Sequence, residues 1–172
     1  FQGKLVFTYD EYVHGEELWV WDPITDKAKL LADLNAPRFN PSTSPQQLTP
    51  CGILLFFVCE DLDHGQELWA TDGTETGTHL VLDLNAGLLD SAPMNLTTAK
   101  SRVYFTAVTA QTGRELWCSN GSAEGTTLLD IRKGADSSFP ENLTICRDLL
   151  YFIADDGVHG REIWASAGTP ES

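Results

Sequence analysis

The pentapeptide Gly15-Glu16-Glu17-Leu18-Trp19 decides the fold, because the chain repeats it three more times. The later copies occupy residues 65–69, 113–117 and 160–164, and the last has Ile163 in place of leucine. Successive tryptophans are therefore 50, 48 and 47 residues apart. A fixed period of this length predicts a repeat architecture, in which each unit is one supersecondary structure that packs on its neighbours.

Each repeat tryptophan has a phenylalanine 12 residues upstream, and a turn sequence that ends near the repeat glycine separates the two. The four pairs are Phe7 and Trp19, Phe57 and Trp69, Phe105 and Trp117, and Phe152 and Trp164. Two apolar runs joined by such a turn predict a β-hairpin, in which each Phe lies directly across from its Trp. Because strand side chains alternate, the Phe/Trp face and the Leu/Ile face lie on opposite sides of the sheet. Both faces are largely apolar, so neighbouring repeats are expected to cover both.

Two further strands are predicted in each period. Asp-Gly or Asn-Gly turns at 71–78 and 119–126, and a different turn at 22–25, lead from each Trp strand into a third strand. A loop then ends in Pro-x-Asn/Gln-Leu-Thr at 45–49, 93–97 and 140–144, which we interpret as another short strand. Four short antiparallel strands per period are typical of a β-propeller blade. No stretch predicts a helix.

The predicted fold is therefore all-β, a propeller-like array of four-stranded antiparallel blades with 47–50 residues per repeat. We treat residues 1–172 as one repeat domain with units at about 1–40, 41–89, 90–136 and 137–172. The chain opens on the second strand of a unit and stops in the turn after Trp164. We expect it to be part of a larger repeat protein, and the alternative is a compact four-bladed ring.

The segment Glu67-Leu68-Trp69-Ala70-Thr71-Asp72-Gly73-Thr74, followed by Gly77-Thr78, closely resembles the ELWxxDGT repeat family, as does the segment 154–164. The resemblance extends over essentially the whole chain, although unit one departs from the pattern after Trp19. It implies propeller-like β-structure in a large secreted or cell-surface protein. It implies no catalytic residues.

Composition excludes several classes of function. With 42% hydrophobic residues and five tryptophans, the 172-residue chain can bury a substantial core. A formal net charge of −14 argues against binding nucleic acid through a basic surface. The apolar run 53–59 is far too short to span a membrane, so we expect no membrane insertion.

Four glutamates occupy one equivalent position of the repeat, namely Glu17, Glu67, Glu115 and Glu162. One interpretation is a ring of carboxylates that binds cations. The other is a strand-end glutamate that accepts hydrogen bonds from loop amides in each unit. We favour the second, because a position filled in every copy usually serves the repeat structure itself.

Acidic and histidine residues in the hairpin turns raise the question of metal binding. Asp61, Asp63, Asp155 and Asp156 form parts of calcium-like loops, but each loop offers only two or three carboxylates. Calcium takes six to eight oxygens, and turn chemistry explains these aspartates equally well. We expect no cofactor, with calcium as the alternative. His14, His64 and His159 precede the repeat glycine and could bind zinc only if the units brought them together.

The four cysteines do not follow the repeat. Cys51 and Cys146 lie two residues after the repeat threonine, Cys59 lies in a Phe strand, and Cys118 follows Trp117. An even count in a protein of secreted type favours disulfides. A Cys118–Cys146 bridge between adjacent units is the pairing we favour, and free thiols or partners outside this chain are the alternatives. Sequons at Asn95, Asn120 and Asn142 are candidate N-glycosylation sites.

The chain contains no Gly-x-Ser-x-Gly, His-Glu-x-x-His, Cys-x-x-Cys or phosphate-binding glycine loop. We therefore expect a non-enzymatic structural or interaction module of an extracellular or cell-surface protein, acting in adhesion, as a scaffold or in a filament. Its partners would be other chains or further repeats. The alternative is a propeller that binds or cleaves a carbohydrate or peptide at its axis. That alternative predicts a funnel lined by residues that differ between units.

Overall fold

The structure is a computed structural model that describes residues 1–35 and 42–167. Within those ranges the chain is all-β, with antiparallel strands and no helix. The strands are β1 (Leu5–Glu11), β2 (Gly15–Asp22), β3 (Lys27–Ala32), β4 (Gln46–Cys51), β5 (Leu54–Asp61), β6 (Gly65–Thr71), β7 (His79–Leu82), β8 (Met94–Ala99), β9 (Arg102–Thr109), β10 (Gly113–Ser119), β11 (Thr127–Leu129), β12 (Glu141–Cys146), β13 (Leu149–Asp155) and β14 (Arg161–Ser166).

These strands form four separate sheets, one for each repeat. The first contains β1-β2-β3, the second β4-β5-β6-β7, the third β8-β9-β10-β11 and the fourth β12-β13-β14, with sequential strands paired throughout. The predicted four-stranded unit is confirmed in the second and third sheets, whereas the first and fourth have three strands each. The third strand of unit one forms despite its different turn at 22–25.

The predicted hairpin register is confirmed in all four sheets. Phe7 pairs with Trp19, Phe57 with Trp69, Phe105 with Trp117 and Phe152 with Trp164. The same register places Tyr9, Cys59, Ala107 and Ala154 opposite the four repeat glutamates. The twelve-residue spacing between Phe and Trp therefore fixes the hairpin.

The repeat glycine is required by backbone conformation and by a close neighbour. Gly65 has φ +69°, in the left-handed region that favours glycine. A Cβ on Gly65 would lie 2.7 Å from Asp90 Oδ1, and one on Gly113 would lie 2.6 Å from Ser137 Oγ. The linker that leads to the next sheet therefore passes directly over this glycine.

The Asn-Leu-Thr segments form a bulge in the first strand of each later unit. Gln47, Asn95 and Asn142 have φ of 53°, 61° and 57°, and the strand register shifts at each of them. Asparagine tolerates this conformation better than most side chains. The threonine two residues later donates its hydroxyl hydrogen to the carbonyl oxygen of the bulge residue in every case. The segment thus has a structural role in the strand.

The core consists of three apolar clusters, each between consecutive sheets. Leu18 and Val20 of the first sheet cluster with Phe57 and Trp69 of the second. Leu68 clusters with Phe105 at the next junction, as Leu116 does with Phe152 at the last; all three leucines are buried. At the three junctions the Leu/Ile face of one sheet is therefore covered by the Phe/Trp face of the following sheet. The sequence predicted that neighbouring repeats cover both faces, but not which face meets which.

The first and last sheets each leave one apolar face open. On β1, Leu5 is 56% exposed and Tyr9 is 53% exposed, and on β14 Ile163 is 77% exposed. The alternative of a compact ring closed within this chain is therefore wrong for this structure, because the fourth sheet does not cover the first. The first strands of the inner and last sheets, β4, β8 and β12, lie beside one another in turn.

Candidate functional site

Glu67 is the best example of the buried glutamate shared by the repeats. Its side chain is fully buried, although glutamate is rarely so. The carboxylate accepts hydrogen bonds from the Ser91 amide at 3.0 Å, from the Ser91 hydroxyl and from the Leu84 amide at 3.4 Å. It thereby holds both ends of the linker from β7 to β8.

The same arrangement recurs at the other inner sheet junctions. Glu115 accepts from the Ser138 amide at 2.8 Å, the Ser138 hydroxyl at 2.6 Å and the Ile131 amide at 3.1 Å. Glu17 accepts from the Thr43 hydroxyl at 2.7 Å. We call each buried glutamate with its Ser or Thr partner a glutamate clasp. The favoured interpretation, a glutamate bonded to loop groups, thus describes three of the four positions.

Glu162 is the exception among the four glutamates. It is exposed on β14. The four carboxylates do not form a ring, since three are enclosed in separate clasps.

The Ser or Thr of each clasp also joins two sheets through its backbone. The Ser91 amide donates to Gln66 O of the second sheet at 3.2 Å, and its carbonyl accepts from the Val108 amide of the third sheet at 2.8 Å. Thr43 and Ser138 make the same inter-sheet contact with the amides of Glu60 and Asp155. All three clasp residues are fully buried. Sequence reasoning missed them, although each lies two residues before an aligned proline, at Pro45, Pro93 and Pro140.

Burial controls the ionisation of the clasp carboxyls. It raises the pKa of Glu17 and of Glu67 to about 7, and it also raises the pKa of Glu115. Hydrogen bonds from the Ser or Thr partner act in the opposite direction. Glu17 and Glu67 are therefore expected to titrate near neutral pH, and all three clasp carboxyls are closed to solvent.

The hairpin turns contain a second repeated contact, between a histidine and a carboxylate of the same turn. His64 Nδ1 lies 2.7 Å from Asp61 Oδ2, His159 Nδ1 lies 2.7 Å from Asp156 Oδ2, and His14 bonds to Glu11. The hydrogen bond to the carboxylate raises the pKa of all three histidines. In unit three, Thr109 and Thr112 make the corresponding contact, with 2.8 Å between their hydroxyl oxygens. Each histidine is thus paired within its own turn, not brought together with the others.

Three of the four calcium candidates accept hydrogen bonds from turn amides through their carboxylates. Asp61 Oδ1 accepts from the amides of Asp63 and His64, and Asp156 Oδ1 accepts from the amides of Val158 and His159. Asp155 Oδ1 accepts from the Gly157 amide at 2.7 Å. Throughout residues 1–35 and 42–167, no group of three or more His, Cys, Asp or Glu side chains could hold a metal ion.

The turn after the Trp strand is built identically in units two and three. Asp72 Oδ1 accepts from the amide and hydroxyl of Thr74, as Asn120 Oδ1 does from those of Ser122. A Cβ on Gly77 would lie 2.1 Å from Asp72 Oδ1, and Gly125 is equally close to Asn120. Both aligned glycines are therefore needed for space.

The favoured Cys118–Cys146 bridge is not formed, and no disulfide joins any of the four cysteines, all of which lie in the described ranges. Cys118 is buried in the cluster between the third and fourth sheets, and its Sγ lies 3.1 Å from Thr127 Oγ1. Cys146 is exposed at the end of β12, a strand that lies beside β8 and not beside β10. The repeat spacing placed both cysteines near adjacent units but did not specify which strands meet.

The three sequons are accessible. Asn95, Asn120 and Asn142 are all exposed. Asn95 and Asn142 lie at the strand bulges, whereas Asn120 organises the turn after β10.

Shallow cavities occur beside the first sheet and near the turns that follow β4 and β8. One of about 380 Å³ is lined by Lys4, Asp22, Lys27, Lys29 and neighbouring residues. Another of about 190 Å³ lies between the β4–β5 turn and the β8–β9 turn. Cys51 and Lys100 both line the second cavity. No helix in the described part of the chain has the length and apolar character needed to cross a membrane.

Comparisons with known proteins give a structural likeness at low sequence identity. The chain matches no protein-family model and no curated protein. It is similar to the crystal structure of the computationally designed Ika8 protein, with 16% sequence identity and a TM-score of 0.47. The match covers 98% of this chain and 44% of the Ika8 chain, so this chain spans less than half the length of that protein.

Proposed function

We propose that this chain is a non-enzymatic structural and interaction module of a large secreted or cell-surface protein of the ELWxxDGT repeat type. The observation that carries the proposal is the use of the shared residues. At the junctions between sheets, the repeat Gly, Glu, Leu and Trp and the clasp Ser or Thr join one sheet to the next. The residues that the repeats share therefore build a rigid framework, whereas the loop residues differ between repeats and are available for contacts.

The electrostatics agree with a framework role. The buried carboxyls and the hairpin histidines have partners inside the repeat, so their altered pKa values are explained by structure. A catalytic site generally places a perturbed group in an accessible cleft. The clasp glutamates are instead fully buried. Adhesion, scaffolding and filament formation are the roles that such a module would support, with glycans on the exposed sequons when the protein is secreted from a eukaryotic cell.

A second candidate function is ligand binding at the edge formed by β4, β8 and β12, which we call the hub edge. A specific observation favours it: Gln46, Met94 and Glu141 occupy one equivalent position there, yet they differ in chemistry and are exposed. Residues that differ between otherwise equivalent units are expected at a ligand site. A carbohydrate or short peptide is the class of ligand we would assign to it.

Nuclear magnetic resonance titration distinguishes the two functions. Amide shifts of the labelled chain are followed while mono- and oligosaccharides and short peptides are added, and a panel of glycoside and peptide substrates is assayed in parallel. The module proposal predicts neither turnover nor saturable shifts. Saturable shifts confined to the hub edge, and lost in a Gln46→Ala, Met94→Ala, Glu141→Ala variant, would replace it with the ligand-binding function.

A further inference from the structure

Three lysines, Lys4, Lys27 and Lys29, line the cavity of about 380 Å³ beside the first sheet. They are three of the five lysines in a chain of net charge −14. The buried Val20 also lines this cavity. A smaller cavity of about 80 Å³ shares Lys4 and Val20 with it and extends to Gly73, in the turn after β6. The two cavities together form a groove at the junction of the first and second sheets, which we call the lysine groove.

The strand register places the three lysines on one face of the first sheet. Lys27 pairs with Asp22 and Lys29 pairs with Val20, while Lys4 Nζ lies 3.9 Å from Asp22 Oδ2. Residues two apart on a strand lie about 7 Å apart on the same face, and residues two strands apart are separated by about 10 Å. The three ammonium groups are therefore spaced for a ligand that carries more than one anionic group.

The second unit closes the same positions against the third sheet. Leu54 occupies the position of Lys4, and a Cβ on Gly121 would lie 2.4 Å from Leu54 Cδ1. His79 occupies the position of Lys29, and its Nε2 lies 2.9 Å from Gly121 O. The groove is therefore a feature of the first junction and not of the repeat.

The third unit also fills these positions differently. Arg102 replaces Lys4 and donates to Gly125 O at 3.2 Å, and Thr127 replaces Lys29 with a short side chain. In the first unit, by contrast, Lys27 and Lys29 are exposed and make no ion pair with any residue that the structure describes. Residues that depart from the repeat at equivalent positions are the ones expected at a ligand site.

Two carboxylates beside the groove are held by their own turns. Asp22 Oδ1 accepts from the Ile24 amide at 2.8 Å, and Asp72 Oδ1 accepts from the amide and hydroxyl of Thr74. The three lysines outnumber these two carboxylates, although the chain as a whole is strongly acidic. The groove is thus a local positive site, which suits a short anionic ligand.

We propose that the lysine groove binds a short sulfated saccharide, whose sulfate oxygens accept hydrogen bonds from the ammonium groups of Lys4, Lys27 and Lys29. Such charge-assisted hydrogen bonds are stronger than neutral ones. The apolar C–H face of a sugar ring would rest on Val20, and the cavity volume is within the range of small-ligand sites. The inference rests on the proposed module function and names the chemistry of its partner, because sulfated saccharides are extracellular polymers.

Nuclear magnetic resonance titration of the whole chain with a sulfated tetrasaccharide prepared from heparin tests the proposal. The titration is done at low salt, where exposed charge pairs are least screened. The amide shifts of Lys4, Val20 and Lys29 should saturate. The desulfated tetrasaccharide keeps the sugar rings and carboxylates and should not saturate over the same range. Inorganic sulfate, titrated separately, should bind more weakly than the sulfated tetrasaccharide.

Substitutions locate the contact. Lys27→Gln and Lys29→Gln should each weaken binding about threefold, and the double variant about tenfold, as expected for exposed charge pairs. Lys29→Arg keeps the charge and should bind within about twofold of wild type. Lys133→Gln removes an exposed lysine from the linker between β11 and β12 and is the matched control. Thermal melts confirm that each variant is folded.

A wild-type chain without saturable shifts at the groove would overturn the proposal. A double variant that binds as tightly as wild type, or a desulfated tetrasaccharide that binds equally well, would also overturn it. Inorganic sulfate that binds as tightly as the tetrasaccharide would reduce the site to a single-anion contact and overturn the saccharide assignment.

The outcome is separable from the module function, because the saccharides titrated against the hub edge carry no sulfate. A groove without shifts removes only the ligand assigned here. Saturable shifts at the hub edge, by contrast, remove the module function itself.

Discussion

Ser91 and Glu67 form a buried contact in which one serine is joined both to the carboxylate of its own unit and to the next sheet. The Ser91 amide lies 3.0 Å from Glu67 Oε1, while its carbonyl accepts from the Val108 amide at 2.8 Å. Because the same contact recurs at Thr43 and Ser138, the junctions between sheets are polar at one end and apolar in the middle.

Removal of the clasp carboxylate should destabilise the fold. Glu67→Ala leaves the buried amides of Ser91 and Leu84 without their acceptor, so the free energy of unfolding in urea should fall by about 2–4 kcal/mol. Glu162→Ala is the matched control, because it removes the same residue type at the same repeat position where the side chain is exposed. Its effect should stay within about 0.5 kcal/mol. Equal losses in the two variants would contradict the clasp.

Stability should fall as pH rises through the neutral range. The clasp carboxyls have folded pKa values raised from 4.5 to about 7 at Glu17 and Glu67. The folded state therefore binds more protons than the unfolded state between these values, and stability is full below about pH 4.5 and declines toward pH 7. The raised pKa of His64 acts in the same direction at higher pH, because its stabilisation is present below 6.5 and is lost above the folded pKa.

Glu67→Gln removes one of these titrations while keeping the side-chain shape. Urea unfolding should show a smaller loss of stability between about pH 5 and about pH 8 than in wild type. One pKa unit corresponds to about 1.4 kcal/mol, so the change should be readily measured. A pH profile identical to that of wild type would mean that Glu67 ionises normally.

The four cysteines should react as thiols at different rates. Cys146 is exposed and should be labelled first by a thiol reagent. Burial raises the pKa of Cys51 and of Cys59, so both should react more slowly, and the fully covered Cys59 only on unfolding. The buried Cys118 should likewise be labelled only when the protein unfolds. The Cys146→Ser substitution should abolish the fast phase of labelling. A Cys118–Cys146 peptide recovered from the non-reduced protein would contradict this assignment.

Calcium should have little effect on stability, because Asp61 already bonds to the turn amides and to His64. Thermal melts with added calcium and with chelator should coincide. Asp61→Ala should cost about 1–3 kcal/mol through the lost acceptor, whereas Glu60→Ala, which removes a neighbouring exposed carboxylate, should cost little. A melting temperature that falls when chelator is added would instead support the interpretation that these turns bind calcium.

The sequence predicted contacts that depend on local spacing and missed those that depend on how units meet. Phe57 lies opposite Trp69 because a hairpin register follows from counting residues about one turn. Ser91 was missed because its partners, Glu67 and Val108, belong to different sheets that only the folded linker brings together. The Cys118–Cys146 bridge is not formed in the structure, because a repeat period gives equivalent positions but does not specify which strands face each other.

The Leu/Ile faces of the first three sheets are each covered by the following sheet, and one matched pair of substitutions tests this arrangement most directly. Leu68 and Ile163 occupy the same position in the same type of hairpin, but only Leu68 has a following sheet in the structure. Urea unfolding at a concentration where the chain is monomeric should show a loss of about 2–5 kcal/mol for Leu68→Ala. Ile163→Ala should lose less than about 1 kcal/mol. Comparable losses at the two positions would contradict the stacked arrangement.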